Sequence, residues 1–366
     1  MILGACAYDT HFEDCTVRCA ADMECPVGLA CKAEGFCRTP GATEMCTAIL
    51  ETLPSCAGLA ATCGPNADED CCSTATPIPG GTFFRGYDVA SDGMYPSTAY
   101  PATVSPFVLD RFEVTVGRFR KFVEAGMGTQ QNPPVTSAGA RSLNELPNQG
   151  GWDSAWELSL VADTTGLVTA VNCNAAYQAW TDAPGANEAK PMNCLTWYEA
   201  FAFCAWDGGF LPSESEWAYA AAGGSEQRAY PWSIPASSLT IDCSYANYYN
   251  GAEHCVNPPN GANGAVNRVG TTSPKGDGKY GQADLAGNAW EWTLDWYQSP
   301  YGNPCSDCAA LTAASNRVAH GGCFNTAAPL LRGANRHSPA PDQRDRGGGG
   351  NGVRCARAPF MKARGA

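Results

Sequence analysis

Charged side chains are scarce: Asp, Glu, Lys and Arg make up 16% of the 366 residues, against roughly 25% in ordinary globular domains. Basic residues are scarcer still, 23 Lys and Arg facing 36 Asp and Glu for a net charge of −13. That balance argues against an anionic membrane surface, and nucleic acid is set aside as a partner. Histidine occurs only at positions 11, 254, 320 and 337, which limits any imidazole-built metal centre. No run approaches the roughly 18 consecutive apolar residues of a membrane-spanning helix. Long regular helices are also disfavoured, because 40 Gly and 26 Pro interrupt the chain. The 44% hydrophobic content is nevertheless ample for a packed core.

Cysteine, by contrast, is abundant. Eleven of the 20 cysteines fall in residues 1–72, a density that a reducing cytosol would leave as thiols, so the protein reads as exported. Residues 1–75 carry eleven acidic side chains against Arg18, Lys32 and Arg38, with no amphipathic period able to build a core. The spacing Cys15-x3-Cys19-x5-Cys25-x5-Cys31-x5-Cys37 supplies close cross-links instead, as in small secreted modules. Zinc is the competing reading, against which stand the lack of His in 15–72 and of paired C-x2-C knuckles. Ser73-Thr-Ala-Thr-Pro-Ile-Pro79 reads as a linker. The chain thus divides into a cysteine-rich module, 1–75, and a main domain, 76–366. Leu3-Gly-Ala-Cys6 resembles the lipobox of bacterial lipoproteins, in which the cysteine is acylated. The basic and apolar stretches of an export signal do not precede it, so either the natural start lies upstream or the match is chance. A lipid on Cys6 would be the sole membrane attachment of an outer-membrane or cell-surface protein.

After residue 79 the pattern turns to short strands, capped helices and long loops. Phe107-Val-Leu-Asp-Arg-Phe112 reads as a strand, followed by a helix capped by Thr115 with Val116, Phe119, Phe122 and Val123 on one face. Thr196-x-x-Glu199 and Ser213-x-x-Glu216 are capping boxes that open two more helices, burying Trp197, Phe201, Cys204 and Trp217. Residues 126–190 and 222–285 are too long for plain connectors, and read as loops held by disulfides or metal.

Seven motifs in order carry a family resemblance: Gly80-Gly-Thr-Phe83, Phe112-Glu-Val-Thr-Val-Gly-Arg-Phe119, Thr196-Trp-Tyr-Glu-Ala200, Phe210-Leu-Pro-Ser-Glu-Ser-Glu-Trp217, Gly287-Asn-Ala-Trp-Glu-Trp292, His320-Gly-Gly-Cys-Phe324 and Gly352-Val-Arg-Cys355. Over roughly residues 78–359 the chain resembles the sulfatase-modifying factor, or formylglycine-generating enzyme, family. The resemblance implies an α+β variant of the C-type lectin fold with little regular structure. Family oxidases bind Cu(I) through two cysteines five residues apart, just after a Gly-Gly-Ser-aromatic motif. Here Gly321-Gly-Cys-Phe324 leads to Thr326 and Leu331 at those positions, and neither a hydroxyl nor an isobutyl group holds soft Cu(I). Copper is therefore not expected. Iron is not expected either: His11 lies in the other module, and His320 and His337, seventeen residues apart across a loop, form no ligand motif.

The resemblance further implies calcium, a hard cation that takes oxygen ligands, at Asp284, Gly287, Ala289 and Glu291. The plainer alternative makes Gly287-Asn288 a turn and gives Glu291 to an arginine. A second family site maps to Asn247 and Tyr248, without a carboxylate at 260–263 to complete it. The resemblance pairs Cys204 with Cys355, and loop closure pairs Cys173 with Cys194, Cys243 with Cys255 and Cys305 with Cys308. Cys323 is then odd, a buried apolar residue or a reactive thiol. Residues 317–364 carry nine Arg and Lys against Asp342 and Asp345. They either line a pocket for an anionic ligand, with Trp290, Asn325 and Arg336 on its wall, or pair with carboxylates of the 126–190 loops.

The sequence thus describes an exported bacterial surface protein whose main domain lacks the copper thiolates and binds a protein, peptide or glycan ligand. The rival is an oxidoreductase of the same family, of formylglycine-generating or non-heme iron type, acting on a thiol or peptide with Cys323 as its candidate reactive group.

Overall fold

The computed structural model describes residues 30–31, 37–38, 53–143, 146–256, 264–344 and 349–358. Cys6 and most of the cysteine-rich module lie outside the described residues. The chain separates into two units, one of Met1–Thr52 with Ala358–Ala366 and one of Leu53–Arg357. In the first, β1 (Ala30–Cys31) pairs antiparallel with β2 (Cys37–Arg38).

The larger unit runs β3 (Gly81–Phe84), β4 (Pro101–Val104), β5 (Val108–Leu109), α1 (Val116–Glu124), β6 (Arg141–Leu143), β7 (Leu146–Gln149), α2 (Thr164–Val171), α3 (Trp197–Trp206), α4 (Glu214–Ala221), β8 (Trp290–Trp296), β9 (Arg317–His320), β10 (Asn351–Gly352) and β11 (Ala356–Arg357). This is an α+β arrangement of short elements. Both capping boxes form: the Thr196 and Ser213 hydroxyls accept from the amides of Glu199 and Glu216, whose carboxylates accept back. Thr115 caps α1, whose Phe119 and Phe122 pack on Phe203 of α3. The sequence reading passed over α2, which Asp163 opens by accepting from Gly166 N at 2.8 Å. Of the strand expected over 107–112, only Val108–Leu109 pairs regularly, with β11.

The central strand is β8, buried along its whole length between antiparallel β9 and parallel β10. A strand buried on both faces is ordinarily apolar throughout, yet β8 reads Trp-Glu-Trp-Thr-Leu-Asp-Trp. Its polar positions are satisfied from inside: Thr293 Oγ1 donates to Val318 O, and Asp295 accepts from the amides of Glu214 and Ala310. Cys204 and Cys355 are bonded, with Cα atoms 5.4 Å apart, tying α3 to the approach to β11. Cys173–Cys194, Cys243–Cys255 and Cys305–Cys308 close the loops.

Residues 53–75, read above as part of the cysteine-rich module, pack with the larger unit. Ser55 donates its amide to Asp207 and its hydroxyl accepts from Arg118, while Cys56–Cys72 and Cys63–Cys71 staple the segment. The Pro/Thr stretch after it is pinned as well, Ile78 exchanging both backbone hydrogen bonds with Phe107 and lying fully buried.

Candidate functional site

The turn after β9 needs two left-handed residues, Gly321 and Gly322. A Cβ on Gly322 would meet Leu331 and Thr326 at 3.2–3.3 Å. The turn delivers Cys323 to a buried position, where its amide donates to Thr326 Oγ1 at 3.0 Å and its Sγ lies 3.3 Å from the same oxygen. Gly349 closes over the sulfur, with no room for a Cβ. Leu331 is fully buried in an apolar cluster with Tyr230 and Tyr248. The two positions where the family places thiolates are thus a hydroxyl and a hydrocarbon, and this donor set does not fit Cu(I).

The imidazoles turn to separate partners. His320 stacks on Trp217 at 4.7 Å with its Nε2 3.3 Å from Glu214 Oε1. The His337 ring lies 4.8 Å from that of Trp290, and His254 Nε2 is 3.1 Å from Asn325 Oδ1. Among the described residues, no three His, Cys, Asp or Glu side chains converge on a metal position. The residues proposed for the pocket wall each meet other groups, Asn325 meeting His254. His337 is the residue that faces Trp290, whereas Arg336 donates to Glu214 and Gln298 and stacks over Tyr297 and Tyr301.

At 284–291, Glu291 is held by the alternative partner. The fully buried Arg354 donates to both its oxygens, through Nη2 at 2.8 Å and Nε at 3.1 Å, and Trp217 Nε1 donates at 2.7 Å. A guanidinium in that position repels a dication, so Glu291 as placed does not fit calcium. Asp284 accepts from Gly270 N at 2.6 Å; burial, with Asp277 and Glu291 nearby, pushes its carboxyl up to about 6. Gly287 lies so close to Asn247 that a Cβ would meet its carbonyl oxygen at 2.4 Å, and Ala289 donates its amide to Glu113. Asn247 spans to Asn288 and to Ala265, leaving its own Oδ1 buried without a partner among the described residues. The neighbouring Tyr248 carbonyl accepts from Cys255 N.

Glu113 is the functional-looking residue that sequence reasoning missed. It lies fully buried and accepts from Asn288 Nδ2 and Ala289 N; burial, then Asp284 and Glu291, push its carboxyl well above the usual range. Its only signal was its place in the motif opening at Phe112.

The described basic residues of 317–364 are mostly paired, but not with the 126–190 loops. Arg332 binds Asp88 and Asp92, Arg336 binds Glu214, Arg344 binds Glu199, Arg354 binds Glu291, and Arg357 binds Asp110 and Asp207. Arg317 is the exception, sandwiched between Trp197 and Trp296 at 3.5 and 3.6 Å with Nε and Nη2 unpartnered among the described residues. Arg346, Lys362 and Arg364 lie outside the described residues.

Comparison with known proteins adds a frame. A family described as "Sulfatase-modifying factor enzyme 1-like domain" matches residues 61–359. The formylglycine-generating enzyme of Streptomyces coelicolor is 29% identical, over 80% of this chain and 92% of that protein. The bovine (Bos taurus) protein named "Inactive C-alpha-formylglycine-generating enzyme 2" is 28% identical, over 61% of this chain and 70% of its own length. Among solved structures, PvdO from Pseudomonas aeruginosa superposes with a TM-score of 0.51 at 21% identity, covering 77% of this chain and 93% of that one.

Proposed function

Because the chain belongs to the sulfatase-modifying factor family, we propose that it is an exported member without copper oxidase activity, serving as a ligand- or protein-binding module. One observation carries the reading: the loop after β9 presents Thr326 and Leu331 where two thiolates would be needed, and Cys323, the sulfur of that loop, is buried under Gly349. The relatives include enzymes and a protein named as inactive, so membership alone leaves activity open. Six disulfides among the described residues fit an oxidising compartment. No described helix is long and apolar enough to cross a membrane; in this reading a lipid on Cys6 attaches the protein to a bacterial surface. A protein, peptide or glycan is the ligand class for such a module.

The test is copper titration with thiol labelling after rapid denaturation, beside oxygen uptake on a sulfatase-type cysteine peptide. The expected result is no oxygen uptake with Cu(I) supplied and Cys323 labelling indifferent to copper. Stoichiometric copper binding that protects Cys323 would overturn the module reading in favour of an oxidase with a rearranged site.

A further inference from the structure

The end of β8 remote from the Cys323 loop opens into a half-open cleft of about 230 Å³, smaller than the roughly 300–1,000 Å³ of pockets for drug-sized ligands. Arg85, Glu214, Asp295, Tyr301 and Arg336 line it. Two of these charges satisfy each other: Arg336 Nη2 donates to Glu214 Oε2 at 2.7 Å. The other two do not. Arg85 is 5% exposed, and its acceptors are the Gly302 carbonyl at 2.6 Å, the Asn303 amide oxygen at 3.0 Å and Cys308 Sγ at 3.6 Å, none of them charged. Its Nε has no partner among the described residues. Asp295 is 4% exposed and accepts from two neutral amides, Glu214 N and Ala310 N, each at 2.7 Å.

A buried charge is costly unless an opposite charge meets it, and ionised hydrogen bonds are about twice as strong as neutral ones. The cleft therefore holds a cation and an anion that touch no opposite charge directly, although Arg85 feels Glu214 and Asp295, and Asp295 feels Arg336, at longer range. A simple carboxylate would satisfy Arg85 but face Asp295 and Glu214; a simple ammonium would satisfy Asp295 but face Arg85 and Arg336. We propose that the cleft binds a small zwitterion, a free α-amino acid, with its carboxylate on Arg85 and its ammonium on Asp295. The Tyr301 ring, which lies 4.7 Å from the Arg85 guanidinium and 3.9 Å from that of Arg336, forms the wall against which the ligand backbone sits. Burial pushes the Tyr301 hydroxyl well above its usual range, so it stays protonated. The inference does not depend on the Cys323 loop, and it stands whether or not the protein oxidises thiols.

Isothermal titration calorimetry of the whole protein with each standard amino acid, and with acetate and methylammonium as half-ligands, tests it. At least one amino acid is expected to bind, with each half-ligand weaker by about tenfold or more. Arg85→Gln is expected to weaken amino acid binding by about tenfold or more, and Arg85→Lys by less. Should Arg85→Gln not fold, Asp295→Asn and the half-ligand ranking on the unaltered protein carry the test. Three results would overturn the proposal: no amino acid binding, acetate binding as tightly as the amino acid, or unchanged binding by a folded Arg85→Gln or Asp295→Asn variant.

Discussion

Arg354 is the cation that Glu291, Glu113 and Asp284 share. It is fully buried, donates to both oxygens of Glu291, and spends its remaining hydrogens on the carbonyls of Asp110, Arg111 and Ala283. Glu113 and Asp284 lie within its field and are both pushed up, first by burial and then by neighbouring carboxylates. Removing the guanidinium would leave three acidic groups facing each other without a cation. Breaking a buried pair by deleting one partner costs about 3–5 kcal/mol, and Arg354→Met should reach that range in urea unfolding. Glu291→Gln should cost less, because the guanidinium keeps its three carbonyls and the other carboxylates nearby. Equal costs for the two variants would mean that Glu113 and Asp284 do not depend on Arg354.

At the scale of elements, α3 and the approach to β11 are held by Cys204–Cys355, which spans 151 residues, whereas Cys305–Cys308 spans three. The unfolded-chain entropy removed by a cross-link grows with the logarithm of the loop, giving about 5 kcal/mol for the long loop and about 1.5 kcal/mol for the short one. Cys204→Ala/Cys355→Ala should therefore lower the urea midpoint well beyond Cys305→Ala/Cys308→Ala; a larger effect from the short clip would assign it a role in holding the Arg85 cleft. Sequence separation also decides what could be read in advance. The caps at Thr115, Thr196 and Ser213 were legible because donor and acceptor lie three residues apart. The arginine partners were not: Arg332 reaches Asp88 across 244 positions and Arg354 reaches Glu291 across 63. Nothing in a local pattern distinguishes those carboxylates from the rest. The docking of residues 53–75 was hidden for the same reason, since Ser55 meets Arg118 and Asp207 only after folding. The residue types at 323–331 were plain in the sequence, and the structure adds that Leu331 packs in an apolar cluster.

For the whole molecule, buried acids of opposite tendency set the dependence of stability on pH. Burial pushes Asp284 and Asp295 from 3.8 up to about 6, and Glu113 also rises well above 4.5. These groups hold their protons more tightly when folded, so their contribution is full below the unfolded value and is lost as pH climbs from about 4 to about 6, on the order of 2–3 kcal/mol for each of the two aspartates. Asp110 and Glu214 act the other way. Burial raises both, but Arg357 and Arg118 outweigh it for Asp110, and Arg336 with His320 outweighs it for Glu214, leaving each below its ordinary value. Their contribution is present above that value and lost as pH falls through the lowered one. The two groups of acids therefore bracket an optimum on the acidic side of neutrality. Urea midpoints across the range should peak near pH 4–5, falling towards pH 3 as the paired acids protonate and towards pH 7 as the unpaired ones are forced to ionise. A midpoint highest at pH 7 would show that Asp284 and Asp295 find cations in the folded protein. Should saturating calcium raise the pH 7 midpoint while leaving pH 5 unmoved, that cation would be a bound metal, since a ligand that binds the folded state alone stabilises it only where its carboxylates are ionised.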